Sequence, residues 1–169
     1  DSNLIKQIEN ISTVSRVVEF STMISTIEKK QNKTSFTRIK AIDQNYPLYG
    51  DVIFEPVGSL KKLNEIDNTI LVNENIFKNL NLKINDIVKV QNIKFKVIGV
   101  VKVLPDIGGA FVFGDFALTG KKTLDKLELN TLGSFLNYEY KIKFDDYKNK
   151  DKKINQIKKI FKNNDKVKI

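Results

Sequence analysis

Apolar and polar residues alternate with period two through most of this chain, and helical spacing appears only in a few short stretches. Residues 1–11 place Leu4, Ile5, Ile8 and Ile11 on one face of a short helix. From Val14 to Ile24 the pattern turns to alternation, with Val18, Phe20, Thr22 and Ile24 on one side. A polar turn over Glu28 to Lys33 leads to a second strand, Phe36 to Ile42, and the two read as a hairpin. Gln44 to Gly50 is a loop, in which Pro47 fixes its own φ and pushes Tyr46 towards extended backbone.

The middle of the chain reads as a compact unit. Asp51 to Glu55 forms a short strand closed by Pro56 and Gly58, and Thr69 to Val72 another. One or two helical turns follow over Glu74 to Leu80, capped by Asn73, whose side-chain oxygen accepts an otherwise orphan amide. Ile87 to Val90, a Gln91-Asn92 turn and Ile93 to Val101 alternate apolar residues with lysine, the clearest hairpin in the chain. Leu104-Pro105-Asp106 ends that strand. Ile107-Gly108-Gly109 is the loosest point, and an apolar run from Ala110 to Phe116 follows. Thr123 caps a short helix reaching Leu129. Phe135 to Phe144 is a strand whose apolar face carries Leu136, Tyr138, Tyr140 and Ile142. The chain closes with a helix over 151–163, striped by Ile154, Ile157, Ile160 and Phe161, and a strand at Val167-Lys168-Ile169.

This order is split: helix, strand, strand, a β-rich insert, then strand, helix, strand. It predicts an α+β fold in which residues 1–50 plus 131–169 form a discontinuous, ferredoxin-like α/β subdomain lacking its first strand. Residues 51–130 form a small inserted β-rich subdomain. The strands Val14–Ile24, Phe36–Ile42 and Phe135–Phe144 are expected to share one sheet.

Composition changes the picture mainly by exclusion. The 169 residues include no cysteine and no histidine. Disulfides, thiolate or imidazole metal sites, Ser-His-Asp and Cys-His catalysis are therefore out, and no cofactor is expected. An enzyme would be left with carboxylates, lysines or a bare hydroxyl, and pairs such as Asp145-Asp146 read as solvated charge. Arg16 and Glu19 fall on opposite faces of a strand. Gly108-Gly109 with Gly114, and Gly120-Lys121-Lys122-Thr123, lack the spacing of a phosphate loop. No apolar run of about 18 residues is present, and the first residues lack a charged, then apolar, leader; were the parent a membrane protein, this would be a piece from between its spans.

The net charge of +9 invites a nucleic-acid or anionic-membrane reading. Residues 141–169 hold eleven lysines and four aspartates, so most of the excess lies there. Arginine, preferred for base readout and phosphate clamps, occurs only as Arg16 and Arg38. For the basic helix at 151–163, packing of its aliphatic stripe on its own sheet is favoured over insertion into lipid.

The ordered motifs carry one resemblance. Glu19-Phe20-Ser21-Thr22-Met23, then Lys40-Ala41-Ile42-Asp43, then Tyr46-Pro47-Leu48-Tyr49-Gly50 resemble the "E-F-x-x-M", "V-K-A-V-D" and "Y-P-L-x-G" succession of extracytoplasmic domains in ABC-transporter permeases of the FtsX/MacB/LolC class, nearest to the YbbP-like fused branch. Leu82 to Asp86 stands at that family's L-x-x-G-D turn, with Asn85 in place of glycine, and Val97-Ile98-Gly99-Val100 at its V-x-G-V end. Tyr49 departs from the arginine frequent there.

The resemblance implies a porter-like α/β subdomain interrupted by a β-rich one, and no enzymatic activity. It implies a mechanical role outside the inner membrane, passing ATP-driven change to a client. Implied partners are a cytoplasmic ATPase subunit acting through the parent permease, and a second extracytoplasmic domain of the same or a partner permease. A lipid, lipoprotein, hydrophobic compound or protein is the implied client, and nucleic acid is not. Candidate contact residues are Tyr46, Leu48 and Tyr49 on the loop and Ile107, Gly108 and Gly109 beyond it; of Phe111, Phe113 and Phe116, alternation predicts burial for at least Phe111 and Phe113. The rival readings are a basic nucleic-acid-binding module and a carboxylate-based hydrolase.

Overall fold

Strand β1 (Thr13–Thr26) organises the molecule because its length lets one edge serve two neighbours. This computed structural model describes residues 2–27, 32–106, 114–126, 136–162 and 167–168. Along one edge β1 runs antiparallel to β2 (Thr34–Ile42), with Val18 opposite Ala41 and Glu19 opposite Lys40. The other edge pairs Thr13–Glu19 with β8 (Asn137–Lys143) and, further along, Ile24–Thr26 with β5 (Ile87–Val90).

The remaining strands close a circuit. β7 (Phe116–Gly120) lies parallel to β2, and β4 (Thr69–Asn73) antiparallel to β7. β6 (Ile93–Val103) runs parallel to β4 and antiparallel to β5, which returns to β1. β3 (Ile53–Glu55) adds to β6 beyond this ring, through a register shift. There Gly99 has no room for a side chain, since a Cβ would stand 2.4 Å from the Glu55 carbonyl oxygen.

Each circuit strand turns one set of residues inward. Val18, Phe20, Ile24, Ile39, Ala41, Ile70, Val72, Val88, Val90, Phe95, Val97 and Ala117 form one buried cluster. Helix α3 (Glu74–Asn79) adds Ile76, and Leu80 and Leu82 follow it into the same core. The expected Asn73 cap is present, its Oδ1 accepting the Ile76 amide at 3.1 Å. The opposite face buries Val17, Ile42, Leu71, Val101 and Leu118 under Leu63 of α2 (Ser59–Glu65), Leu104 and Tyr46. A third, smaller cluster joins α1 (Ser2–Glu9) and α4 (Lys150–Ile160) to the β1–β8 pair through Ile5, Ile8, Val14 and Ile157.

The fold is α+β, and the three strands expected in one sheet are there. That sheet also contains the strands of residues 51–126, so both stretches feed the first core. Several details depart from the sequence reading. Helix α2 was not expected: it shows only Leu60 and Leu63 to the core, and its start follows Gly58 at φ 85°. Thr123 does not cap a helix. It is buried within a 3-10 turn, Lys121–Lys126, and its Oγ1 accepts the Asn68 amide at 3.3 Å. Tyr138 and Tyr140 are exposed, because the helices cover the Ile142 and Phe144 end of that strand and stop short of them. Val167 and Lys168 lie in irregular backbone, with no pairing to any described strand. Ala110 to Phe113, Glu128, Leu129, Phe135 and Ile169 fall outside the described residues. Asn85, in the family's glycine position, takes φ 77°, and its amide donates to the Val97 carbonyl at 2.8 Å.

Candidate functional site

The loop after β2 is built on Asp43. Its carboxylate accepts the Arg16 amide at 2.7 Å, the Ser15 hydroxyl at 3.0 Å and the Asn45 amide at 3.1 Å, which fixes where the chain leaves the sheet. Asn45 donates to the Val14 carbonyl at 2.7 Å, and the Tyr46-Pro47 peptide is cis. Tyr46 is buried. Gly50 closes the loop at φ 70°, where a Cβ would stand 2.6 Å from that of Pro105. That close approach needs glycine both for its backbone angle and for its missing side chain.

Beneath the loop lies an ionic knot centred on Asp106. Its carboxylate accepts the Tyr46 hydroxyl at 2.6 Å, the Lys40 ammonium at 2.8 Å and the Lys141 ammonium at 2.5 Å. Lys40 also pairs with Glu19 at 2.9 Å, its partner in the strand register, and Lys141 lies 3.6 Å from Glu139. One carboxylate therefore ties the end of β6 to β2, to β8 and to the loop. Lys40 has only 9% of its side chain exposed, so removing either of its partners would leave a poorly hydrated charge.

Burial alone would raise the Asp106 carboxyl, but hydrogen bonds from Lys141, Lys40 and Tyr46 outweigh it and hold the group down at about 2. Burial, then the bond to Asp106, pushes the Tyr46 phenol well above its ordinary value. Lys141 would be lowered by burial, but its bond to Asp106 raises it. Every shift favours the state already present near neutral pH. Such groups hold elements together and neither give nor take protons readily.

A cavity of about 320 Å³ opens beside the knot. Glu19, Lys40, Asp106 and Glu139 line its charged side, and Phe36, Leu104 and Phe116 its apolar side. Phe36 is 68% exposed and faces Met23 across the β1–β2 ladder, which is also exposed. Among the described residues, no group of three or more acidic side chains is arranged to hold a metal.

The described sequence-derived candidates differ in burial. Tyr46 is buried, Leu48 half-buried, and Tyr49 exposed with the Lys143 ammonium 5.3 Å from its ring centre. Ile107, Gly108 and Gly109, with Phe111 and Phe113, lie outside the described residues; Phe116 is half-buried at the start of β7. Arg16 pairs with Glu9 while Glu19 pairs with Lys40, in keeping with their opposite faces. Asp145 and Asp146 are exposed, and Asp146 accepts the Lys148 amide at 2.9 Å and the Asn149 side chain at 2.6 Å. Asp106 was read only as a strand terminator. Nothing local distinguishes it, because its partners are 35 to 66 residues away.

Residues 1–160 match the family described as MacB-like periplasmic core domain. No curated protein matches the chain. Among solved structures, it is similar to the extracellular domain of the noncanonic ABC-type transporter YknZ from Gram-positive bacteria, at TM-score 0.62 and 10% identity over 99% of this chain and 82% of that one. The periplasmic region of MacB from Actinobacillus actinomycetemcomitans matches at TM-score 0.62 and 15% identity, over 94% and 72% of the two chains. A domain of a putative permease protein from Porphyromonas gingivalis matches at 0.56 and 13%, over 94% and 74%. At these identities the structures show a shared fold, and the family match carries the assignment.

Proposed function

This chain belongs to the family of MacB-like periplasmic core domains, and from that premise we propose that it relays ATP-driven movement to a client outside the inner membrane. It is a periplasmic-type domain of an ABC-transporter permease, so the parent protein works with an ATPase. The proposed relay is mechanical and non-catalytic. The cytoplasmic ATPase acts through the permease, this domain sits outside the inner membrane, and a second extracytoplasmic domain of the same or a partner permease moves against it. Among the described residues, no helix is long and apolar enough to cross a membrane.

The observation that carries this reading is the Asp106 knot. A relay needs its parts joined stiffly, and one carboxylate fastens β6, β2, β8 and the Tyr46 loop with short bonds. In this reading residues 1–50 plus 131–169 form the driven base and 51–130 the head it carries. The contact surface lies on Tyr46–Gly50 and Ile107–Gly109: among the described residues Tyr49 and Gly50 are exposed, while Tyr46 is buried and Leu48 half-buried beneath them. The client is a lipid, lipoprotein, hydrophobic compound or protein. Nucleic acid is not proposed, since Arg16 is engaged by Glu9 and Lys40 by two carboxylates.

Replacing Tyr49 and Ile107 together by Asp tests the assignment. Tyr49 is exposed beside Lys143, so the first change should leave the fold intact. The variant should keep its unfolding midpoint within a few degrees and abolish transport by the full permease. Unchanged transport would refute the contact surface.

A further inference from the structure

Helix α4 resolves its amphipathic pattern in one direction. Ile157 is buried and Ile154, Ile160 and Phe161 half-buried, and Ile157, Ile160 and Phe161 pack in the cluster with α1 and the β1–β8 pair. At 100° per residue, Lys152 and Lys159 stand opposite that stripe and Lys158 on its flank with Asp151 beside it, while Lys162 follows just past the end of the helix. All four are exposed, and among the described residues none is paired with a carboxylate. Lys153 lies apart from this face, over the Phe144 ring at 5.6 Å. The only acidic residue of the helix, Asp151, stands in its first turn.

Charge complementarity gives this face a partner. α1 and α4 pack in a single cluster on the β1–β8 pair, which leaves the lysine side of α4 turned outward. A permease's outer domain stands over the bilayer that holds its spans. Resting on the permease reading above, we infer that the Lys152, Lys158, Lys159 and Lys162 face of α4 docks on anionic lipid headgroups of the membrane surface. The contact is peripheral and electrostatic, because the apolar side of the helix is already buried in the protein. Lysine suits it: a compact, mobile charge on a flexible stem needs no fixed headgroup geometry. Each lysine held within a Debye length of an anionic surface strengthens binding roughly fivefold.

The test is co-sedimentation of the whole chain with vesicles of phosphatidylcholine alone, or with one quarter phosphatidylglycerol, at low and high salt. Binding to the anionic vesicles at low salt, lost at high salt and absent on phosphatidylcholine, is expected. The quadruple variant K152E/K158E/K159E/K162E should lose on the order of a hundredfold or more in partitioning. A second variant, K83E/K89E/K94E/K96E, makes the same charge change on exposed lysines of the β5–β6 hairpin and the turn before it. It should keep most of the binding, and its circular dichroism and that of the first variant should match the parent. Equal losses in both variants would show that only net charge matters and would overturn the docking face. So would tighter, α4-dependent binding to a mixed oligonucleotide than to the anionic vesicles, or no vesicle binding at low salt. None of these outcomes bears on transport by the Tyr49 and Ile107 variant, so the two proposals fail separately.

Discussion

The closed strand circuit and the helical base are built from the same β1 strand but held in different ways. The circuit buries sixteen apolar residues in one cluster, with Ile24, Ile70, Val72, Ile76, Val88, Val90 and Val97 fully enclosed. Among the described residues the helical corner buries four, with Ile11, Ile142, Phe144, Ile160 and Phe161 partly buried against them. Apolar burial scales with area, so the circuit is expected to be the stiffer body, and the α1–α4 corner, one part of the base proposed above, its weaker attachment. The Asp106 knot lies between them and substitutes fixed charge pairs for hydrophobic area. In the relay proposed above, displacement at the base would pass to the circuit through β1 and the knot.

Three substitutions break or sharpen that contrast. The largest effect is expected in the circuit: Phe95→Ala should cost about 3–5 kcal/mol by removing a fully buried ring, read as a lower urea midpoint at constant slope. Both regions should unfold together in that variant.

At the knot, Asp106→Asn should cost roughly 2–3 kcal/mol near neutral pH, because two ammonium groups lose their shared carboxylate. The folded Asp106 titrates at about 2, below the ordinary 3.8. Its contribution is therefore complete above pH 3.8 and is lost as pH falls through about 2. The gap between parent and variant should close over that window. A gap that persisted at pH 2 would mean that the asparagine disturbs packing and that the charge pairs are not the cause.

The smallest and most local effect belongs to the base. Ile157→Ala should cost about 2 kcal/mol and strip amide-exchange protection from α1 and α4, while β4, β6 and β7 stay protected. Uniform loss of protection would show the two regions to be one cooperative unit.

The sequence by itself determined several strands, because a half-buried strand must alternate: β1, β2, the β5–β6 hairpin and β8 stand where alternation put them, whereas β7, buried from Ala117 to Gly120, does not alternate and is not marked. It also determined the Asn73 cap and the left-handed turn at Asn85, which depend on neighbours three residues away or on the residue itself. Helix α2 escaped because seven residues with two core leucines leave too short a period to recognise. Only the tertiary structure decided that the strands close a circuit, since closure requires β1 to change partners along one edge from β8 to β5. Alternation says which way a side chain points and nothing about which strand lies beside it. The knot was hidden for the same reason: Glu19, Lys40, Tyr46, Asp106 and Lys141 are ordinary residues in their own segments, and strand register alone brings their charges within bonding distance.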